Sequence, residues 1–172
     1  MCQGLLTLIR ILSKKTDLIP FSILPECGLR TKLVKLRCAL ACLSEKFDII
    51  ILVETWLNDT ISDSELGFEG FNIFRCDRNP ANSSNSRGGG ILIAVRSCFF
   101  SRVLNVTATN IEQLFVDIRI NHKQVIAAAA YIPPASDPAV YETHCLSVEE
   151  IMGRFPKVDL LLIGDYNIPH TR

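Results

Sequence analysis

Two stretches of the chain set oxygen-bearing side chains at the end of an apolar run. Residues Val158-Asp159-Leu160-Leu161-Leu162-Ile163 pass into Gly164, Asp165, Tyr166 and Asn167. A run of that length and composition suits a strand buried on both faces. Residues i and i+2 of an extended chain share a face, so Asp165 and Asn167 are expected to point the same way. A carboxylate and an amide aimed together from the rim of a dry strand suit a hard cation or a phosphoryl group. Phe47 to Leu57 has the same grammar, its apolar stretch ending in a single carboxylate, Glu54. The two strand ends are expected side by side, with the rest of the chain as scaffold.

The elements that must position them follow from local pattern. Residues 1–17 read as a leader or amphipathic helix outside the core, because the apolar opening is brief and Arg10 interrupts it. Leu18 to Leu24 reads as a first strand, which Pro20 confines to an edge or an end. From Thr31 the apolar residues Leu33, Leu36, Leu40, Leu43 and Phe47 recur at helical spacing, and that helix leads into a strand over 48–53. A helix followed by a buried strand is an α/β signal. Asn58 to Gly70 reads as a polar loop over the rim, Phe71 to Cys76 as a strand, and Asp77 to Ser86 as a flexible loop. Arg87-Gly88-Gly89-Gly90 then opens a strand over Ile91 to Val95. Three further antiparallel strands are expected at 102–108, 114–120 and 124–131, with Asn121-His122 as a hairpin turn. Something bulky must pack over the small run Ala127 to Ala130. Asp137-Pro138 reads as a helix cap with proline at the first helical position, and that helix runs to about Phe155.

The chain has 172 residues, 48% hydrophobic and 21% charged, with 18 basic and 18 acidic side chains. That is a globular composition, long enough for one well-buried core. The balanced charge provides no global basic field of the kind that marks many nucleic-acid binders. Seven cysteines without a repeated spacing, and no secretion signal, read as buried or free thiols in a reducing compartment, with no disulfide-linked partner. No apolar stretch approaches the roughly 20 residues of a membrane span. An intracellular setting is expected, the nucleus being one option.

Four motifs stand in a fixed order: Leu52-Val53-Glu54-Thr55-Trp56-Leu57, Arg87-Gly88-Gly89-Gly90, Tyr131-Ile132-Pro133-Pro134 and Gly164-Asp165-Tyr166-Asn167. Together they resemble the endonuclease/exonuclease/phosphatase superfamily over roughly residues 20–172. The likeness is nearest to the endonuclease domain of non-LTR retrotransposons, and more distant to apurinic/apyrimidinic endonucleases. The resemblance implies an α/β fold, an incomplete four-layer sandwich of mixed, largely antiparallel sheets flanked by helices. It implies metal-dependent phosphodiester hydrolysis of DNA, with contacts to backbone phosphates. In that scheme Glu54 binds Mg2+ or Mn2+ and Tyr131 hydrogen-bonds a phosphate oxygen. Asp165 orients or deprotonates the attacking water, and Asn167 helps hold the phosphoryl group. Arg87 reads as a structural residue or a substrate-phosphate contact, and Trp56 as packing that fixes the Glu54 loop.

Two departures from the family pattern stand out. Ahead of Gly28-Leu29-Arg30 the family has an asparagine where this chain has Pro25, which offers neither a metal ligand nor a side-chain donor. The family continues to an aspartate and a Ser-Asp-His-like ending, whereas this sequence stops at Arg172, and His170 lies too close to Asn167 to substitute. Both imply an impaired or non-catalytic retroelement copy. A phosphatase or lipid phosphodiesterase of the same superfamily is the remaining reading.

Overall fold

Runs of isoleucine, valine and leucine build two sheets, and their alternation decides which side chains meet between them. The computed structural model describes residues 3–10, 17–25, 47–83, 85 and 87–168. The helix expected from Thr31, the Gly28-Leu29-Arg30 piece and His170 lie outside these residues. Strands β1 (Gln3–Arg10), β2 (Asp17–Pro25), β3 (Ile49–Val53), β4 (Phe71–Cys76) and β5 (Ile91–Arg96) form an antiparallel sheet in the order β2-β1-β3-β5-β4. Strands β6 (Phe100–Leu104), β7 (Glu112–Ile120), β8 (Lys123–Tyr131) and β9 (Asp159–Asp165) form a second sheet in the order β6-β7-β8-β9. Its pairs are antiparallel except β8–β9, which is parallel. A parallel pair needs a long crossover, and helix α1 (Pro138–Arg154) supplies it.

The sheets pack face to face. Ile49, Ile51 and Val53 of β3 and Ile91, Ile93 and Val95 of β5 meet Leu114, Val116 and Ile118 of β7 and Ala127, Ala129 and Tyr131 of β8. The large side chains of the first sheet are thus the bulk that covers the alanines. Ala128 faces the other way, in a cluster with Phe115, Ile126 and Ile151 of α1. Two local signals hold as expected. Asp137 Oδ1 accepts from Ala139 N at 2.8 Å at the start of α1. Asn121 and His122 both take positive φ (46° and 67°) between the paired residues Ile120 and Lys123, a two-residue turn of the I′ kind.

The structure corrects four expectations. Gln3–Arg10, expected as a leader or amphipathic helix outside the core, forms a strand inside the first sheet, hydrogen-bonded to β2 on one side and β3 on the other. Its apolar residues satisfy helical spacing and a continuous strand run alike, and period alone cannot separate the two. The strand expected at 102–108 is Phe100–Leu104. Residues 58–70 are more than a polar loop over the rim. Through a short 3-10 turn at Asp63–Leu66 they bury Ile61, Leu66 and Phe68 on the outer face of the first sheet. Strand β9 is not buried on both faces. It is an edge strand among the described residues, and Leu162 is 45% exposed. Strand β2 lies at an edge among the described residues, as expected from Pro20.

Candidate active site

Strand register brings the candidate residues to one rim. β3 ends at Val53 opposite Ile91, the start of β5. β8 ends at Tyr131, whose antiparallel partner is Glu112 at the start of β7 and whose parallel partner is Asp165 at the end of β9. The Gly90 N–H donates to Glu112 Oε2 at 2.5 Å, which joins the two sheets at that level. Glu54, one residue beyond Val53, therefore shares its rim with Tyr131 and Asp165, although the three come from chain segments far apart.

The turn that carries Glu54 is held in an unusual backbone conformation. Glu54 and Trp56 both have positive φ, 62° and 55°. Such residues cost free energy and persist only where the surroundings fix them. The glycine run does so here: Thr55 N donates to Gly90 O at 3.2 Å, and Trp56 N to Gly89 O at 2.8 Å. A Cβ at Gly90 would stand 2.6 Å from Thr55 Oγ1. Arg87 is exposed and lies over the Trp56 ring at 5.4 Å. This agrees with Trp56 as a packing residue that fixes the loop.

Beside this turn the structure reveals a pair that sequence reasoning missed. Arg78 Nε donates to Glu112 Oε1 at 2.7 Å, with only 7% and 1% of the two side chains exposed. Arg78 Nη1 also donates to the carbonyl oxygen of Arg87. The guanidinium lies 5.4 Å from the centre of the Tyr131 ring. Burial pushes the Glu112 carboxyl above its usual range and the nearby Glu54 charge adds to this, whereas Gly90 and Arg78 oppose it. No spacing signal links residues 34 positions apart, and Arg78 sits in a polar stretch that reads as a solvated loop.

Asp165 and Asn167 are together, though not by the expected route. The strand stops at Asp165, and Asn167 has φ 42°, so the shared face of an extended chain does not apply. The chain turns at Asn167, which lies close enough to the Asp165 carboxylate to favour its ionised form. Asn167 Nδ2 donates to Ile132 O at 3.0 Å, while Tyr141 Oη of α1 donates to Asn167 O at 3.1 Å. Burial raises the Asp165 carboxyl above its ordinary value, and Asn167 counters part of the rise. Between them Tyr166 reaches towards His144 Nε2 at 3.5 Å and is pushed up to about 12 by burial. Gln113 spends its amide N–H groups on Ala108 O and Ser147 Oγ, so its oxygen receives His144 Nδ1–H at 2.9 Å. Burial lowers the His144 pKa, so the ring is neutral at pH 7 and its Nε2 is an acceptor. His144 is thus part of the scaffold under the turn.

The donor set can be tested against a divalent cation. Glu54 is only 6% exposed and has no hydrogen-bond or ion-pair partner among the described residues. A buried carboxylate is costly unless a cation compensates it. Arg78 is committed to Glu112, so Glu54 and Asp165 would together repel a phosphodiester that came without a cation. Magnesium takes one or two carboxylates and fills its remaining positions with water and phosphate oxygens, so Glu54 fits it in chemistry. Among the described residues no three His, Cys, Asp or Glu side chains gather into a metal cage. Next to Tyr131 and Glu112 opens a cleft of ≈ 440 Å³, walled by Pro133, Pro134, Ile111 and Asn110.

No family model and no curated protein matches the chain. Solved structures do. The human Nocturnin catalytic domain with bound sulfate anion superposes with a TM-score of 0.59 at 13% identity, over 83% of this chain and 59% of that one. Truncated TDP2 of Caenorhabditis elegans gives 0.54 at 16% identity, over 84% and 59%. D. rerio TDP2 complexed with single strand DNA product gives 0.52 at 16%, over 84% and 56%. The chain spans less than two thirds of the length of each. Its two facing sheets and crossover helix are therefore an α/β fold shared with Nocturnin and TDP2.

Proposed function

We propose that the chain is a metal-dependent phosphodiester hydrolase acting on DNA, of the retroelement endonuclease type. The observation that carries the reading is the common rim of Glu54, Tyr131 and Asp165. The order of the four motifs and the TDP2 structure holding a single-stranded DNA product support the nucleic-acid substrate. Glu54 is the residue that would hold Mg2+ or Mn2+. A bound ion supplies Lewis-acid polarisation of a phosphoryl oxygen. Asp165 accepts the proton of the attacking water. A carboxyl raised by burial is a stronger base than an ordinary one, and such general-base help is worth on the order of 10²–10⁴-fold. Asn167, bound through its amide to Ile132 O, contributes through the turn it fixes beside Asp165. The Tyr131 hydroxyl donates to a phosphate oxygen, and exposed Arg87 meets the backbone farther along the strand.

A plasmid-nicking assay in Mg2+ or Mn2+, with and without chelator, tests this. Nicking is expected to require the ion and to be lost in Glu54→Ala and in Asp165→Ala. Cleavage that survives both substitutions would remove the assignment.

A further inference from the structure

The buried pair Arg78–Glu112 touches the glycine run and Tyr131 directly, and reaches the Glu54 turn through that run. Glu112 begins β7 in the second sheet and receives the Gly90 N–H of the first. Arg78 binds Glu112, the Arg87 carbonyl that opens the glycine run, and the face of Tyr131. Gly89 lies so close that a Cβ there would overlap both charged groups, standing 2.6 Å from Arg78 Cζ. Gly89 and Gly90 in turn accept from Trp56 and Thr55 and hold Glu54 at positive φ. A fully buried charged pair is weak evidence for stability, because hydrophobic replacements of similar volume are often as stable. What it does supply is a unique arrangement, since Arg78 Nε and Nη2 both lie 2.7 Å from Oε1 while Oε2 takes the Gly90 N–H, so each carboxylate oxygen has its own fixed partner.

We propose that Arg78 and Glu112 are positioning residues, a rigid brace that sets Glu54 and Tyr131 relative to each other across the two sheets. The role rests on the phosphodiesterase reading. Neither residue touches substrate. The brace acts through the backbone of residues 87–90 and through the Tyr131 ring.

Trp56 is the sole tryptophan of the chain and sits two residues from Glu54, so its emission reads the braced turn directly. The test uses the full chain and the variants Arg78→Lys and Glu112→Gln. Each is measured by DNA nicking, by Trp56 emission during a Mn2+ titration, and by a thermal melt. Arg78→Lys keeps the charge but loses the fork. Variants that melt cooperatively are expected to show a shifted Trp56 emission, a raised Mn2+ midpoint and a kcat about 10²-fold lower, as for a misplacement of about 1 Å. KM for DNA should change far less. If either single variant unfolds, Arg78→Met/Glu112→Leu removes both charges, and the same three losses are expected of it. Folded variants with wild-type emission, Mn2+ midpoint and kcat overturn the brace alone. A wild-type chain that neither nicks DNA nor responds to Mn2+ overturns the phosphodiesterase reading. In that case a shift of Trp56 emission in the variants still supports the brace, and an unchanged emission refutes it.

Discussion

Replacing Gly89 by alanine separates backbone strain from steric conflict at the rim. Gly89 has φ +67°, and an added Cβ would lie among Glu112 Oε2 and the Arg78 guanidinium, 2.6 Å from its Cζ. Real Cβ atoms essentially never approach within 3.0 Å. The left-handed conformation costs an L-residue roughly 1–2 kcal/mol. Forcing extra volume into a packed site adds about 1–3 kcal/mol. Neither group can yield easily, since both are buried and bound to each other. Gly89→Ala should therefore lose about 2–5 kcal/mol, a large share of the roughly 5–15 kcal/mol that holds a domain together. Gly70 is the control. It has φ +78° with nothing within 4 Å of the added Cβ, so Gly70→Ala should lose only the backbone share, about 1–2 kcal/mol. Gly153, in α1 with open space around it, should gain up to about 1 kcal/mol on replacement. Urea unfolding midpoints of the three variants, with unchanged slopes, rank them. A Gly89→Ala midpoint level with that of Gly70→Ala would refute the packing argument.

Asp165 links the site to pH. Its folded pKa is raised, so its contribution to stability is present below the unfolded value and is lost as pH rises through the folded one. At pH 7 the ionised group therefore costs stability, and Asp165→Asn should melt above wild type while abolishing nicking. The gap should close as pH falls below the ordinary carboxylate range, about 3.9; a gap that widens on acidification contradicts the assigned cause. Asp137→Ala removes the bond to Ala139 N and should destabilise the chain by about 1 kcal/mol, read from chemical denaturation, with Asp137→Ser recovering most of it.

What the sequence made legible was local. The Asp137-Pro138 cap, the Asn121-His122 turn and the alternation of Leu114, Val116 and Ile118 each depend on neighbours within a few residues, so chain order alone exposes them. Glu54, Tyr131 and Asp165 were legible as strand-end residues, and their common rim follows once the strands are paired. The Arg78–Glu112 pair was not, because it joins a loop to a distant strand and leaves no periodic trace. Strand β1 was misread because its apolar residues fit two periods at once. The apolar run of β9 is the same whether a strand lies at the centre of a sheet or at its edge, and only the pairing of β8 decides it.

The alanines of β8 have a consequence beyond packing. Ala127 and Ala129 are the smallest side chains in the layer between the sheets, facing the isoleucines of β3 and β5. They act as a gauge for how far apart the two halves of the molecule stand. Glu54 belongs to one half, Tyr131 and Asp165 to the other. One added pair of methyl groups at position 127 or 129 would wedge those halves open and pull the carboxylates out of step, without touching either of them.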